Sequence, residues 1–189
     1  MDNAIQEQKM FSINEIKLIV GLGNTGNEFI GTRHNVGFEF LDSLVSGQRF
    51  KEDRDLFSDF IEKSFSENKV LLLKPRTMMN LSGKAVISAK TYYKIKPEEI
   101  LIVHDDLDIQ LGSYKMHFSR GPKIHNGILS IENRLGTQEF WRLRIGVDNR
   151  DVVTRNHMTG AAYVLGRFKA DERNLIIQTY NDIIKDHFI

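Results

Sequence analysis

The chain contains 189 residues, of which 41% are hydrophobic and 27% are charged, and its formal net charge at pH 7 is +1. This length and composition predict one compact soluble domain with a hydrophobic core. The absence of cysteine excludes disulfides, thiolate nucleophiles and cysteine metal sites. The balanced charge argues against a broad basic surface, so a nucleic-acid partner would need a local basic patch.

The N-terminal residues carry no targeting pattern. Residues 1–9 lack the charged and apolar regions of a secretory signal, and no apolar run approaches the roughly 18 to 20 residues that a membrane helix needs. We therefore expect a cytoplasmic protein. Residues 1–13 are polar with little periodicity and are predicted to form a flexible tail, which leaves residues 14–189 as the folded domain.

Strand and helix patterns alternate along the chain. In the first part, the patterns predict a buried strand at 16–20, a helix at 35–47, a hairpin of strands at 56–61 and 69–73, a helix at 85–93 and a buried strand at 100–103. In the second part, they predict strands at 113–118 and 141–145, a short helix at 128–136, a polar loop at 148–163 and a final amphipathic helix at 176–184. This order predicts an α/β fold, in which one mixed twisted sheet carries helices on both faces.

The first strand runs into Gly21-Leu22-Gly23-Asn24-Thr25-Gly26, which matches the G-x-G-x-x-G dinucleotide-binding pattern. However, the residues that follow the motif have no apolar helical stripe, so the helix that should receive a pyrophosphate begins too late. A tight turn that needs positive φ values is the favoured interpretation. A nucleotide-dependent oxidoreductase remains the alternative.

His34 lies between this loop and the first helix, and Asp105 belongs to a run of carboxylates that follows the strand at 100–103. Sites in α/β proteins are built beyond the carboxyl ends of strands. A pair of His34 and Asp105 would make a general base with an orienting carboxylate. The same two residues with Asp108 could instead bind a divalent metal, or the carboxylates could form a solvated turn.

Asparagines occur at three junctions between strand and helix, namely Asn24, Asn80 and Asn126. Asn80 and Asn126 could simply cap helices. Alternatively, all three could converge as uncharged donors and acceptors that hold a peptide and polarise an ester carbonyl. Because no G-x-S-x-G elbow is present, attack by an activated water is simpler than a covalent serine mechanism.

Taken together, these motifs resemble those of bacterial-type peptidyl-tRNA hydrolases, and the resemblance covers nearly the whole chain beyond the tail. The segments that carry it are LIVGLGN (18–24), TRHNVG (32–37), KPRT (74–77), MNLSGKAV (79–86), HDDLD (104–108), HNG (125–127), RLRIG (142–146) and YVLG (163–166). The resemblance implies hydrolysis of the ester between a peptide and the 3′ ribose of tRNA, with no cofactor, no metal and a monomeric enzyme.

The resemblance also implies a role for individual residues. His34 would activate water, and Asp105 would orient its imidazole. The implied substrate-binding residues are Asn24, Phe29, Asn80, His125 and Asn126. Phe29 stands where the family commonly has tyrosine, so the aromatic surface is kept and a hydroxyl contact is lost.

For the tRNA, the resemblance implies that Arg144 helps to clamp the 5′ phosphate. Its usual lysine partner is replaced here by His117, for which Lys115 or Lys123 could compensate. The family's glycine-rich loop is replaced by residues 119–124, which we expect to be stiffer and more basic. Residues 148–163 are expected to form a mobile lid.

Two further alternatives remain beside the oxidoreductase. A metal-dependent phosphoesterase would use His34, Asp105 and Asp108 and would lose activity on chelation. A non-catalytic RNA-binding module would keep its binding, without turnover, after His34→Ala.

Overall fold

The computed structural model describes residues 9–189, which form a single seven-stranded mixed sheet with the strand order β2-β3-β4-β1-β5-β7-β6. The strands are β1 (Leu18–Gly21), β2 (Lys51–Asp53), β3 (Ser58–Phe65), β4 (Asn68–Pro75), β5 (Ile100–Gln110), β6 (Tyr114–Phe118) and β7 (Trp141–Asp148). The helices are α1 (Val36–Val45), α2 (Ser82–Tyr92), α3 (Asn126–Leu135), α4 (Val152–His157), α5 (Gly160–Val164) and α6 (Ala170–His187). The predicted α/β architecture is confirmed.

The centre of the sheet is parallel and its edges are antiparallel. β1 pairs in parallel with both β4 and β5, and β5 pairs in parallel with β7. β2 and β3 extend one edge in the antiparallel sense, and β6 does so at the other. The carboxyl ends of four neighbouring strands therefore meet at one edge of the sheet, which is where α/β proteins place their ligands.

Side chains alternate between two hydrophobic cores, one on each face of the sheet. Leu18 and Val20 of β1 pack with α2 and α3, whereas Ile19 between them packs with α1 and α6. All three residues are fully buried. Because both faces of this central strand are covered, its sequence is continuously apolar. None of the helices in the described part of the chain combines the length and the apolar composition that a membrane span requires.

The first two glycines of the motif, Gly21 and Gly23, allow close helix packing. A Cβ on Gly21 would overlap the carbonyl oxygen of Gly37 in α1, and one on Gly23 would lie 2.7 Å from the Phe38 ring. Only Gly26 of the motif has the positive φ that a tight turn was predicted to require, at 123°. The turn interpretation is therefore right for the last glycine and wrong for the first two, which allow α1 to approach the strand closely.

Two sequence-based element predictions are wrong, and one strand was missed. The strand at 100–103 continues to Gln110, because residues 104–106 go on pairing with β7. The loop predicted at 148–163 contains α4 and α5, whose N-termini are capped by Asp151 and Thr159. The short strand β2 was not predicted, since all three of its residues are charged.

The predicted flexible tail, residues 1–13, falls in part on residues 1–8, which lie outside the described residues. Phe11 packs edge-on against Trp141 of β7, with ring centroids 5.2 Å apart. The Lys9 ammonium lies 4.4 Å from the centroid of the Phe118 ring in β6. Residues of this segment thus contact the β6–β7 edge of the sheet.

Candidate active site

A histidine and a carboxylate meet at the carboxyl edge of the sheet. His34 lies in a short 3-10 turn (Arg33–Asn35) that leads into α1, and Asp105 lies in β5. Nδ1 of His34 is 2.7 Å from Oδ1 of Asp105. Because an ionised carboxylate can only accept, Nδ1 carries the proton and the lone pair of the neutral imidazole lies on Nε2. That arrangement is the one a general base requires.

A second histidine holds the same carboxylate. His125 donates from Nε2 to Oδ1 of Asp105 at 2.9 Å, while its Nδ1 accepts from the backbone N–H groups of Gly127 and Ile128. Both ring nitrogens are thus engaged, so His125 has no free position for proton transfer. It is also the residue that caps α3.

Burial and charge act in opposite directions on this group. Burial alone would raise the pKa of Asp105, but the imidazoles of His34 and His125 hold that pKa well below its ordinary range. Burial alone would lower the pKa of His34, yet the charge of Asp105 and the hydrogen bond to it outweigh burial and raise that pKa above 6.5. The carboxylate therefore stays ionised and favours protonation of the neighbouring imidazole.

Hydrogen bonds to neighbouring residues fix Asn24 and leave the NH₂ group of its side chain available to a ligand. Its backbone N–H and C=O pair with the side chain of Asn35 at 2.9 Å each. Its side-chain Oδ1 accepts from the backbone N–H of Met79 at 2.8 Å. Since the oxygen is occupied, Asn24 presents its NH₂ group as a donor to the adjacent cleft.

Asn80 and Asn126 also line this cleft, and both are exposed. Neither caps a helix: α2 begins without a side-chain cap, and α3 is capped by His125. The capping interpretation is therefore wrong for both. Among residues 9–189, no side chain or backbone group forms a hydrogen bond with either amide, which leaves both free for a ligand.

The cleft has a volume of about 490 Å³ and combines these polar groups with an apolar wall. The structure brings together His34, Asp105, His125 and all three asparagines there, whereas Phe29 is not among the lining residues. The lining residues that sequence reasoning did not assign are Met78, Met79, Leu107, Ile124, Gly160, Ala161, Val164 and Leu165. Ile124, which is 90% exposed, directly precedes the HNG segment. That position in the sequence was the only signal that it could line the cleft.

Arg144 lies on β7 and is mostly neutralised by the protein itself. Its Nε donates to Oδ2 of Asp106 at 2.7 Å, and its Nη1 donates to Nδ1 of His117 at 3.2 Å. Only 8% of Arg144 is exposed. Gly121 of the loop at 119–124 covers the guanidinium so closely that a Cβ there would lie 2.6 Å from Cζ.

The exposed charge on this side comes from other residues. Lys115 is exposed on β6 and pairs in register with Arg144, and Arg120 is exposed in the following loop. Burial, together with the charges of Arg144, Arg120 and Lys115, lowers the pKa of His117, so this residue is neutral at pH 7. Its Nδ1 accepts from Arg144, which places its proton on Nε2. Arg142, two residues before Arg144 on β7, is buried and paired with Glu132.

The residues that could bind a metal in the structure differ from the set predicted from the sequence. His34, Asp105 and His125 place one ligand atom each within 4.8 Å of one another. Asp108 lies outside this group, faces an adjacent cavity and is 3.6 Å from the ammonium of Lys123. The three grouped residues are of types that could bind zinc, although both imidazoles already direct N–H groups at the carboxylate.

Comparison with known proteins gives a consistent result. A family model described as peptidyl-tRNA hydrolase matches residues 18–187. A peptidyl-tRNA hydrolase of Neisseria meningitidis serogroup C (strain 053442) is 44% identical over 165 residues, which cover 86% of this chain and 84% of that protein. The peptidyl-tRNA hydrolase of Staphylococcus aureus (strain JH9) is 42% identical over 158 residues, covering 83% and 81%. A crystal structure of peptidyl-tRNA hydrolase from Acinetobacter baumannii is 34% identical, has a TM-score of 0.82, and covers 94% of this chain and 88% of its own.

Proposed function

Because this chain belongs to the peptidyl-tRNA hydrolase family, we propose that it hydrolyses the ester between a peptide and the 3′ ribose of tRNA. The observation that carries the proposal is the His34–Asp105 pair, whose free imidazole nitrogen adjoins a cleft edged by three neutral amides. The products would be a peptide with a free carboxylate and a tRNA with a free 3′ hydroxyl. Release of that tRNA returns it to translation.

In the proposed mechanism, Nε2 of His34 removes a proton from a water molecule as the water oxygen attacks the ester carbonyl. The NH₂ group of Asn24 donates to the carbonyl oxygen as negative charge develops there. The tetrahedral intermediate then collapses, and the leaving ribose oxygen takes its proton from the His34 imidazolium. Asp105 keeps the imidazole in the productive tautomer and stabilises its charged form. This sequence requires neither a metal nor a covalent intermediate.

The peptide would be recognised by its backbone amide and by apolar contact. Asn80 and Asn126 offer donors and acceptors that suit a peptide bond, and Met78, Ile124 and Leu165 offer apolar surface. His125 bonds both Asp105 and the N-terminus of α3, and so stabilises this side of the cleft. Asp105 is the one carboxylate among the lining residues, and both histidines donate to it. An unblocked aminoacyl-tRNA would therefore bring its ammonium group to a cleft whose single carboxylate already pairs with two histidines.

The tRNA would be bound through phosphate contacts from Lys115, His117 and Arg144, which suit a substrate class that includes many sequences. His117 would donate from Nε2 as a neutral imidazole, and Lys115 would supply the exposed positive charge. Phe29 remains a proposed contact beyond the cleft itself. We also propose a monomer in the cytoplasm, where ribosomes produce the substrate, with residues 1–13 outside the catalytic domain.

The decisive experiment measures tRNA release from an N-acetylated aminoacyl-tRNA, from the same aminoacyl-tRNA without the acetyl group, and from the acetylated substrate with a chelator. The proposal predicts rapid cleavage of the acetylated substrate, much slower cleavage of the free one and no effect of the chelator. Absence of cleavage by folded protein would refute the hydrolase. Loss of activity on chelation would instead assign the His34, Asp105 and His125 cluster to a metal.

A further inference from the structure

Directly before the proposed base, the chain buries an arginine that the mechanism does not use. Arg33 is 5% exposed, and its Nη2 donates to Oε2 of Glu172 at 2.6 Å. Its Nη1 donates to the backbone carbonyls of Gly166 and Arg167 at 3.2 and 2.8 Å. The guanidinium also lies over the ring of Tyr163, 4.1 Å from its centroid.

Three of these partners, Tyr163, Gly166 and Arg167, lie in α5 or shortly after it, and α5 forms one wall of the cleft. Tyr163 is part of α5, and Gly160, Ala161 and Val164 of the same helix line the cleft. Tyr163 is buried behind that lining, where it contacts Arg33. One guanidinium thus joins the turn that carries His34 to the back of the opposite wall.

The two sides of this connection differ in how else they are held. The His34 turn is fixed independently of Arg33, because His34 bonds Asp105 and Asn35 bonds Asn24. By contrast, α5 has only five residues, and a helix of that length depends on tertiary contacts, of which the others are the burial of Val164 and the hydrogen bond from Asn149 to the Tyr163 hydroxyl. When the connection is weakened, the wall is therefore the side that should move.

The carboxylate partner extends the same network. Oε2 of Glu172 also accepts the backbone N–H of Lys169 at the start of α6, and Oε1 accepts from the side chain of Asn149 at 3.2 Å. The backbone N–H of Asn149 donates to the Tyr163 hydroxyl at 3.2 Å. Burial would raise the pKa of Glu172, but these hydrogen bonds and the charge of Arg33 hold it below its ordinary value. Glu172 therefore remains charged at pH 7.

We propose that Arg33 is a positioning residue that sets the distance between the α5 wall and His34, and so determines how tightly the peptide part of the substrate is held. The inference rests on the proposed hydrolase activity. Arginine is suited to this task because its planar fork can reach two carbonyls and a carboxylate while it stacks on a ring. A lysine could keep the charge near Glu172 but, with its donors on one nitrogen, could not bond the carboxylate and both carbonyls while it stacks on the ring.

The chain provides a matched control in Arg142. This arginine is 1% exposed, donates to Glu132 at 2.7 Å and to the carbonyls of Gln138 and Phe140, and lies 4.0 Å from the centroid of the Phe140 ring. None of these partners lines the cleft. Arg142→Lys should therefore cost a similar amount of stability without affecting the wall.

The test compares Arg33→Lys, Arg142→Lys and wild type on tRNA carrying an N-acetylated amino acid or an N-acetylated tripeptide. For Arg33→Lys we expect KM for the tripeptidyl substrate to rise about tenfold, KM for the shorter substrate to rise much less, and kcat and its pH profile to stay within about twofold. Tyr163→Leu, which removes the stacking without stranding a buried charge, should show the same split. Arg142→Lys should show no split. An equal change for both substrates, or the same pattern in Arg142→Lys, would overturn the proposal.

Amide hydrogen exchange over residues 160–165 gives a readout that needs no turnover. Exchange there should be faster in Arg33→Lys and unchanged in Arg142→Lys, since only the first variant releases α5. Unchanged exchange in Arg33→Lys would contradict the proposal even if the enzyme is active. Absence of turnover by wild type would refute the hydrolase function but would leave this structural test in place.

Discussion

The cleft and the basic surface of β6 and β7 both contain charged groups, but the protein holds them differently. In the cleft, Asp105 receives two histidine N–H groups, and these bonds fix the donor and acceptor atoms of His34 and His125. On the basic surface, the charge of Arg144 is paired with Asp106, and the exposed positive charges are those of Lys115 and Arg120. The cleft is thus organised before substrate arrives, whereas the basic surface offers charge without fixed geometry.

This difference matches what each region must recognise. Ester hydrolysis requires atoms placed within a fraction of an ångström, so the groups that perform it are buried and bonded. Phosphate binding tolerates looser geometry, since the attraction between charges falls off slowly with distance. Substitutions in the cleft should therefore lower kcat strongly, while substitutions on the basic surface should raise KM moderately and in a way that depends on salt.

The largest effect should come from His34→Ala. Loss of the general base should lower kcat by about 10³ with little change in KM, because the effect of such bases is typically 10²- to 10⁴-fold. Single-turnover cleavage of N-acetylated aminoacyl-tRNA measures the effect, and thermal unfolding checks the fold. A fall of less than about tenfold would show that another group activates the water.

A smaller loss should follow from Asn24→Asp. This variant keeps an oxygen that can accept the N–H of Met79, but it replaces the NH₂ donor with an acceptor. Placing negative charge beside the developing oxyanion should lower kcat by about 10², which is the usual cost of losing such a donor. Asn126→Asp changes a residue that is proposed to bind the peptide and should act mainly on KM. Equal kcat values for the two variants would contradict the proposal that Asn24 donates to the developing oxyanion.

On the basic surface, Arg144→Gln should affect both stability and binding. Asp106 would be left as a buried, unpaired carboxylate, so the free energy of unfolding should fall by about 3 kcal/mol, and KM should rise about tenfold. Adding Asp106→Asn should restore stability but not KM. If the double variant recovered both, Arg144 would have a purely structural role.

The smallest effect should come from Lys115→Ala. This lysine is exposed on β6, so its removal should raise KM by only about threefold at moderate salt. The slope of log KM against log salt concentration should decrease by about one, as expected when one phosphate contact is lost. An unchanged slope would place the tRNA backbone on another surface.

The sequence predicted the arrangement of the cleft better than that of the basic surface, for a physical reason. Asn24 and Asn80 follow the parallel strands β1 and β4, and Asp105 follows the apolar part of β5, so the topology of a parallel sheet brings them to the same edge. Arg144 and His117 sit within strands, where alternation reports the face of a side chain but not its partner. Asp106 neutralises Arg144 because β5 continues past Val103 and pairs with β7. The sequence did not predict this pair, since the polar residues at 104–108 suggested a turn.

The wall of the cleft was beyond prediction for a related reason. Capping residues at Asp151 and Thr159 were present as helix signals, but the helices they begin have only six and five residues, too few to show an apolar period. The position of α5 depends on long-range contacts such as those of Arg33, which stacks on Tyr163 of this helix and pairs with Glu172, 139 residues away in the chain. Local patterns carry no information on such a pair.

The central claim is that Asp105 orients the imidazole of His34 and raises its pKa, and the pH profile of kcat/KM in wild type and Asp105→Asn tests it most directly. The base is active when neutral, so wild-type activity should rise with pH through a midpoint above 6.5. In Asp105→Asn the charge that raises the pKa is gone and burial, which lowers it, remains. The midpoint should therefore move to lower pH while the plateau falls by about 10². A midpoint that stays in place or moves to higher pH would contradict the account.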